Sequence, residues 1–424
     1  MSQAVAWVSA SISERYFEAV TAHAAIDSQD GYRLLRAAAA AGPPGDGAPS
    51  MGAMAYAGAI PGPTLRLKRG EDLKLRLENG LAEATGLDWH GLRGANLLDG
   101  TRRRASAAPA ARLDYRIACP DAGTFWYHAV LPRQIGCGLY GLIVVDEAEP
   151  VAVDRELHLV VGEWPALEGA VATSATRPPL RAGGVGATET VRANERLRLR
   201  FLNATRRIVA MRIDGHRPVV MALDGQPADP FVARDGRILL GPGNRADLFV
   251  DMVLSPGATA MIVAESAIGA TPLTRLVYAD APARGAPLAE SAPLPANDLP
   301  ARMDFAGALK LDLVLPAPTE SAGDMSAAAL PAEPAFRVQR GRAVMLGIVN
   351  RTTATQVARV DGHTFRLLDR LDDGWKPFWL DTLTVPAGQT HRIAFVPDRA
   401  GAWLIESVAE ASGAAGLATW FEVT

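Results

Sequence analysis

The chain has 424 residues, too many for one ordinary hydrophobic core, and 49% are apolar against 21% charged, which excludes a disordered chain and predicts two to four domains. The formal net charge is −3 with both signs dispersed, so no Lys/Arg stripe marks a nucleic-acid partner. No apolar run approaches the roughly 20 residues that a membrane-spanning helix needs.

The N-terminus, "MSQAVAWVSASISERYFEAV", lacks a basic start, a clean apolar stretch and a twin arginine, so no export signal is read there. Residues 1–30 form a separate segment, either a short helix or a loosely ordered arm. Beyond it, 40 glycines and 30 prolines punctuate apolar runs of strand length, which favours many short strands joined by turns. One pattern occurs three times: "RLKRGEDLKLRLENG" (66–80), "TVRANERLRLRFLNAT" (190–205) and "RVQRGRAVMLGIVNRT" (337–352) each read strand, turn, strand and a closing Asn. In the first copy Leu73, Leu75 and Leu77 alternate with Lys74, Arg76 and Glu78, the period of a half-buried strand. A second unit recurs in "SAAPAARLDYRIACPDAGTFWYHAV", "LGPGNRADLFVDMVLSPGATAMIVAE" and "VPAGQTHRIAFVPDRAGAWLIESV". Three copies of a strand-rich unit predict three like domains, each large enough for a β-sandwich, at 31–150, 151–290 and 301–424, with a Pro/Ala-rich linker at 291–300.

Two stretches look like halves of a His-x-His metal site. In "LDWHGLRGANLLDG" (87–100) Asp88 stands two residues before His90, and in "GTFWYHAV" (123–130) Val130 stands two after His128. Residues two apart on a strand face one side, so a complete pair would aim both imidazoles at one point. Cys119 and Cys137 flank the second stretch and either form one disulfide or remain two buried thiols. His216, in "IDGHRPVV", reads as a hydrogen-bonded core or turn residue, His158 and His391 as surface positions, and Asp99 as a turn residue. Trp89, Phe125, Trp126 and Tyr127 read as core aromatics, and no nucleophile motif surrounds Ser407 or Ser412.

These blocks, with "PGPTLRLKRGEDLKLRLENGL", "GLYGLIVVDE" and "DGHTFRLLDR", resemble in their order the multicopper oxidases, the laccase-like family of three cupredoxin domains. The resemblance implies an all-β chain of three cupredoxin-like Greek-key β-sandwich domains. It also implies a blue copper held by Cys and His in the last domain, and a three-copper cluster held by four His-x-His pairs between the first and last domains. Soft thiolate and imidazole suit copper and set its potential. Carried over by position, the cluster ligands fall on Asp88 and His90, His128 and Val130, Arg359 and Asp361, and Glu406 and Val408. The blue-copper ligands fall on Gln356, Ser407, Ser412 and Leu417, and His363 matches a position that does not usually bind copper. With seven histidines and no cysteine in the last third, the chain is expected to lack the four-copper set.

Two functional expectations follow. The first is a non-catalytic binding or scaffold protein with a protein partner, in which Arg359 bridges Asp88, Asp361 or Glu406 where metal once stood. It is similar in this to a copper-less periplasmic cell-division member of the family. The second is a metal-dependent oxidoreductase or hydrolase with one Zn, Fe or Cu ion on His90, His128 and one of Asp88, Asp361 or Glu406. The resemblance also implies export to the periplasm, with the cytoplasm as the alternative.

Overall fold

The computed structural model describes residues 28–40, 52–96, 98, 104–163, 180–267, 269–319, 330–368 and 375–424. Most of the N-terminal segment, and Asp99, lie outside the described residues. The described chain is nearly all strand, arranged in six sheets. The strands between Ser28 and Asp146 form a five-stranded and a four-stranded sheet, those between Arg155 and Tyr278 a six- and a five-stranded sheet, and those between Leu309 and Val423 two five-stranded sheets. Each pair of sheets encloses its own apolar core. The fold is that of cupredoxin-like sandwiches.

The internal repeat is visible in the pairing. In each unit an early strand runs parallel to the strand that ends in the repeated Asn: Tyr32–Ala39 beside Asp72–Asn79, Arg155–Gly162 beside Arg196–Asn203, and Leu309–Leu315 beside Val344–Asn350. The opposite sheet of each unit is closed by a second parallel pair, Gly62–Lys68 with Tyr140–Asp146, Thr188–Val191 with Gly269–Tyr278, and Arg337–Val338 with Ala415–Val423. Leu73, Leu75 and Leu77 are fully buried while Lys74 is exposed, as the alternation predicts. In the second copy the strand Arg196–Asn203 is buried on both faces. Its arginine face packs on the first unit, where Arg198 pairs with Glu147 and Arg200 donates to Thr124 (2.8 Å).

The three closing asparagines share one task. Asn79, Asn203 and Asn350 each donate through Nδ2 to the carbonyl four residues on (Glu83, Arg207, Ala354) and to a distant carbonyl (Ala107, Leu240, Val385). Each Oδ1 accepts from the amide two residues on. Where the strand leaves the sheet, its backbone would otherwise lose partners, and the side-chain amide supplies both donors and acceptor.

The Pro/Ala-rich stretch expected as a linker is irregular but packed. Leu294 is buried beside Met221 and Phe249, and Asn297 exchanges hydrogen bonds with the backbone of Ala122. Cys119 and Cys137 are both free thiols: Cys119 sits in the first core near the strand Arg112–Ala118, while Cys137 caps the helix Pro132–Gly136, with the whole strand Gly123–Ala129 between them. Among the described residues no helix is long and apolar enough to cross a membrane.

Replacing Asn203 by Ala removes the side-chain donor to the Leu240 carbonyl and the acceptor of the Thr205 amide, while the Arg207 carbonyl keeps Thr205 Oγ1; two stranded groups at about 1–3 kcal/mol each cost about 2–6 kcal/mol. Asn203→Asp is expected to cost a similar amount, because a carboxylate cannot donate to those carbonyls. Urea unfolding measures both, and an Asp variant as stable as the parent would contradict the assignment.

Candidate functional site

Four strands carry the site. Leu87–His90 pairs with Gly123–Ala129 so that Asp88 lies opposite His128 and His90 opposite Trp126. In the third unit Gln356–Val360 pairs with Gly401–Ala409, placing Arg359 opposite Glu406 and Ala358 opposite Ser407. Where the first and third units meet, Asp88, His90, His128, Arg359, Asp361 and Glu406 converge, and all six are buried or nearly so.

Arg359 is the centre. Its guanidinium donates to Asp88 across the domain boundary, to Glu406 through Nε (2.6 Å) and to His90 Nδ1 (2.9 Å), and it stands 3.1 Å from Asp361 Oδ1. Arg104 pairs with the other oxygen of Glu406. Burial raises the cost of every charge here, and the pairing decides which ones survive. For Asp88, burial pushes the carboxyl up, but Arg359 and the two imidazoles outweigh it and hold the group below the usual range. Burial likewise opposes ionisation of Glu406, and Arg104 with Arg359 reverse it. Asp361 goes the other way: burial, with Glu406 and Asp88 nearby, pushes it well above an ordinary carboxyl despite Arg359. A protonated Asp361 leaves two guanidiniums against two carboxylates, a neutral cluster.

The tautomers follow from the donors. Arg359 has only N–H to offer, so His90 Nδ1 accepts, and neutral His90 carries its proton on Nε2, which faces Thr382 Oγ1 at 2.6 Å. Thr382 donates on to Asp381 (2.7 Å), which is held by both terminal nitrogens of Arg245 (2.8 and 2.6 Å). Burial and the Arg359 charge push His90 down to about 4. His128 Nδ1 donates to the Ala129 carbonyl (2.8 Å), leaving Nε2 bare at 3.4 Å from His90 Nδ1. Two bare nitrogens make no hydrogen bond, so that contact is packing alone.

The positions assigned by resemblance to the blue copper make a different arrangement. Ser407 Oγ donates to Gln356 Oε1 (2.8 Å) and accepts from Leu417 N (2.8 Å), while Gln356 Nε2 donates to the Pro316 carbonyl (2.9 Å). Ser412 lies apart in an exposed turn. Gly416 packs so closely that a Cβ there would stand 2.3 Å from Gln356 Oε1.

Other sequence expectations divide. His216 is a turn residue, bonded through Nδ1 to the Asp214 carbonyl and through Nε2 to Tyr278. His363 repeats the motif in the third unit, its Nδ1 on the Asp361 carbonyl and its ring among Phe395, Trp403 and Phe421. His158 and His391 are half-buried rather than surface residues; His158 lies between Glu156 and Thr64 where the first two units pack. Sequence reasoning missed Arg104, Thr382, Asp381 and Arg245. Arg104 is one of three successive arginines with nothing to single it out, whereas "GNRAD" and "LDT" join only through contacts 136 residues apart.

Among the described residues, no three His, Cys, Asp or Glu side chains stand in an arrangement that could hold a metal ion. Of the residues expected for the alternative site, His90, His128 and Asp88 stand together, and Arg359 occupies the side of His90 that faces His128 and Asp88.

Comparison with known proteins fixes the family. Three multicopper oxidase profiles match residues 44–150, 167–280 and 306–424, together most of the chain. Multicopper oxidase MmcO of Mycobacterium tuberculosis is 26% identical over 429 residues, covering 88% of this chain and 83% of that protein. A multi-copper oxidase from Pseudomonas thermotolerans superposes with a TM-score of 0.78 at 26% identity over 92% of this chain and 98% of its own. Lac15 from a marine microbial metagenome does so with a TM-score of 0.75 at 28% identity, covering 92% and 99%. The chain belongs to the multicopper oxidase family.

Two predictions follow from the site. Arg359→Leu strands Asp88 in a buried setting and leaves Glu406 with Arg104 alone; it is expected to cost about 3–5 kcal/mol, with Asp88→Asn in the same chain recovering part of it. Unfolding curves of the two single variants and the double test this; additive losses would contradict direct coupling. The second concerns pH. His90, His216 and His363 each fall from 6.5 to about 4, with burial the leading cause. A base depressed in the folded state is protonated first in the unfolded chain, so the stability is full above 6.5 and lost as pH falls towards 4. Asp224, raised to about 6 by burial and Asp381, works oppositely in that window, as Asp361 does, but the three histidines outnumber them. Unfolding free energy should fall through this window and fall less in His363→Phe; a flat profile would contradict the assignment.

Proposed function

We propose that this chain has exchanged copper chemistry for a binding or scaffold role while keeping the family architecture. The observation that carries the reading is Arg359, a buried cation held by carboxylates and His90 at the point where the resemblance expects cluster ligands to meet. A multivalent cation beside that guanidinium would face strong like-charge repulsion in a poorly solvated site. A further support is the Gln356–Ser407–Leu417 arrangement, whose oxygen and amide groups already satisfy one another and include no thiolate for copper. The donors present do not fit the family's four-copper set.

A second reading keeps one metal ion on His90 and His128. Its specific support is the 3.4 Å between His90 Nδ1 and His128 Nε2, a spacing two ligands of one tetrahedral ion can have at about 2.0–2.1 Å each. It requires Arg359 to swing away and give up its ion pairs.

The full chain, produced with copper supplied, separates the readings by elemental analysis and oxygen uptake. The leading reading expects less than about 0.1 equivalent of any transition metal, no copper–thiolate band and no oxygen consumption with a phenol or aromatic diamine. One tightly held equivalent, lost in His128→Ala, would establish the second reading. Copper-proportional oxygen uptake would overturn both.

A further inference from the structure

Beside the ion cluster lies a chamber of about 130 Å³ at the junction of all three units. Its walls are mainly apolar, with Trp126, Val130 and Ile135 from the first unit and Val408 from the third. Two of these, Val130 and Val408, stand where the resemblance places copper-ligating histidines, so the loss of imidazoles has opened an apolar space instead of a packed one. The volume is comparable with the roughly 150 Å³ apolar cavity that accepts benzene, enough for one six-membered ring.

The polar features of the chamber favour an anion. Arg104 and Arg359, which line it, are both shared with Glu406, and Glu163 is paired with Arg207, so these charges are matched. Arg206 is not. It reaches from the second unit across the mouth, donates to the Ser412 carbonyl (2.9 Å), and makes no ion pair with a described residue. The glycines on either side leave room for it alone: a Cβ on Gly136 would stand 2.6 Å from Arg206 Nη2, and one on Gly413 2.7 Å from Cδ. The guanidinium of Arg206, without an ion pair to a described residue, is the donor left for one acceptor group.

We propose that the chamber binds a small aromatic monocarboxylate, its ring against Trp126, Val130, Ile135 and Val408 and its carboxylate directed to Arg206. This deepens the binding role above and rests on that reading, since the ligand uses space that a complete copper cluster would fill with imidazoles.

The test titrates benzoate, benzamide and benzylamine into the full chain by calorimetry, with metal content measured on the same sample. Benzoate should bind saturably at one site, with benzamide and benzylamine at least about tenfold weaker. Arg206→Gln, at an exposed position, should remove the preference for benzoate over benzamide. Val408→Phe should abolish binding by filling the chamber, and Ala204→Leu does the same from another wall should the first variant fail to fold. Binding of benzoate weaker than about 10 mM, equal affinity for benzamide, or affinity unchanged in both filling variants would overturn the proposal. A full copper complement would sink the reading of lost copper chemistry and this proposal with it, whereas copper-free protein that fails to bind benzoate would overturn the chamber assignment alone.

Discussion

A guanidinium buried between two domains is costly unless its partners are in place, and Arg359 has them from both sides: Asp88 from the first unit, Glu406 and Asp361 from the third. The same group fixes His90 as an acceptor at Nδ1, which puts the imidazole proton on Nε2 and extends the chain through Thr382 and Asp381 to Arg245 of the second unit. One polar network therefore touches all three sandwiches. Its geometry is specific because hydrogen-bond donors and acceptors must match at each link, whereas apolar contacts between sheets tolerate sliding. Such a network gives orientation more than net stability, since the desolvation of so many charges offsets much of their attraction.

The fold was largely legible in the sequence because its cause is local and repeated. Leu73, Leu75 and Leu77 alternate at the strand period, and Asn79, Asn203 and Asn350 recur because each strand exit needs the same two donors and one acceptor. The convergence of Asp88, His90, His128, Arg359, Asp361 and Glu406 was legible through family resemblance, since matched positions on matched strands meet. What remained hidden is non-local. Arg198 and Arg200 alternate with apolar residues as on a half-buried strand, yet the first unit covers them through Glu147 and Thr124. Arg104 and the Thr382–Asp381–Arg245 relay show nothing in sequence, because their partners lie in other domains. The cysteines left two outcomes open, and only the intervening strand decides between them.

On the proposed reading, the positions that the resemblance assigns to the two copper regions hold two different arrangements. At Gln356 and Ser407 the side chains satisfy each other by hydrogen bonding, and Gly416 packs against both. Between the domains the charged replacements neutralise one another, but the two valines are smaller than imidazole and the space beside them stays open. On that reading, hydrogen bonds join the replacements in one place and an apolar chamber lies beside them in the other. A binding protein can use the second without disturbing the first.

The central claim is that Arg359, not a metal ion, joins Asp88 to the third unit. Crystals grown from the full chain and soaked in copper(II), with anomalous scattering recorded at the copper edge, test it most directly. The account predicts continuous density from the guanidinium to Asp88 and Glu406 and no anomalous peak between His90 and His128. A peak there, with Arg359 turned out of the pocket, would contradict it.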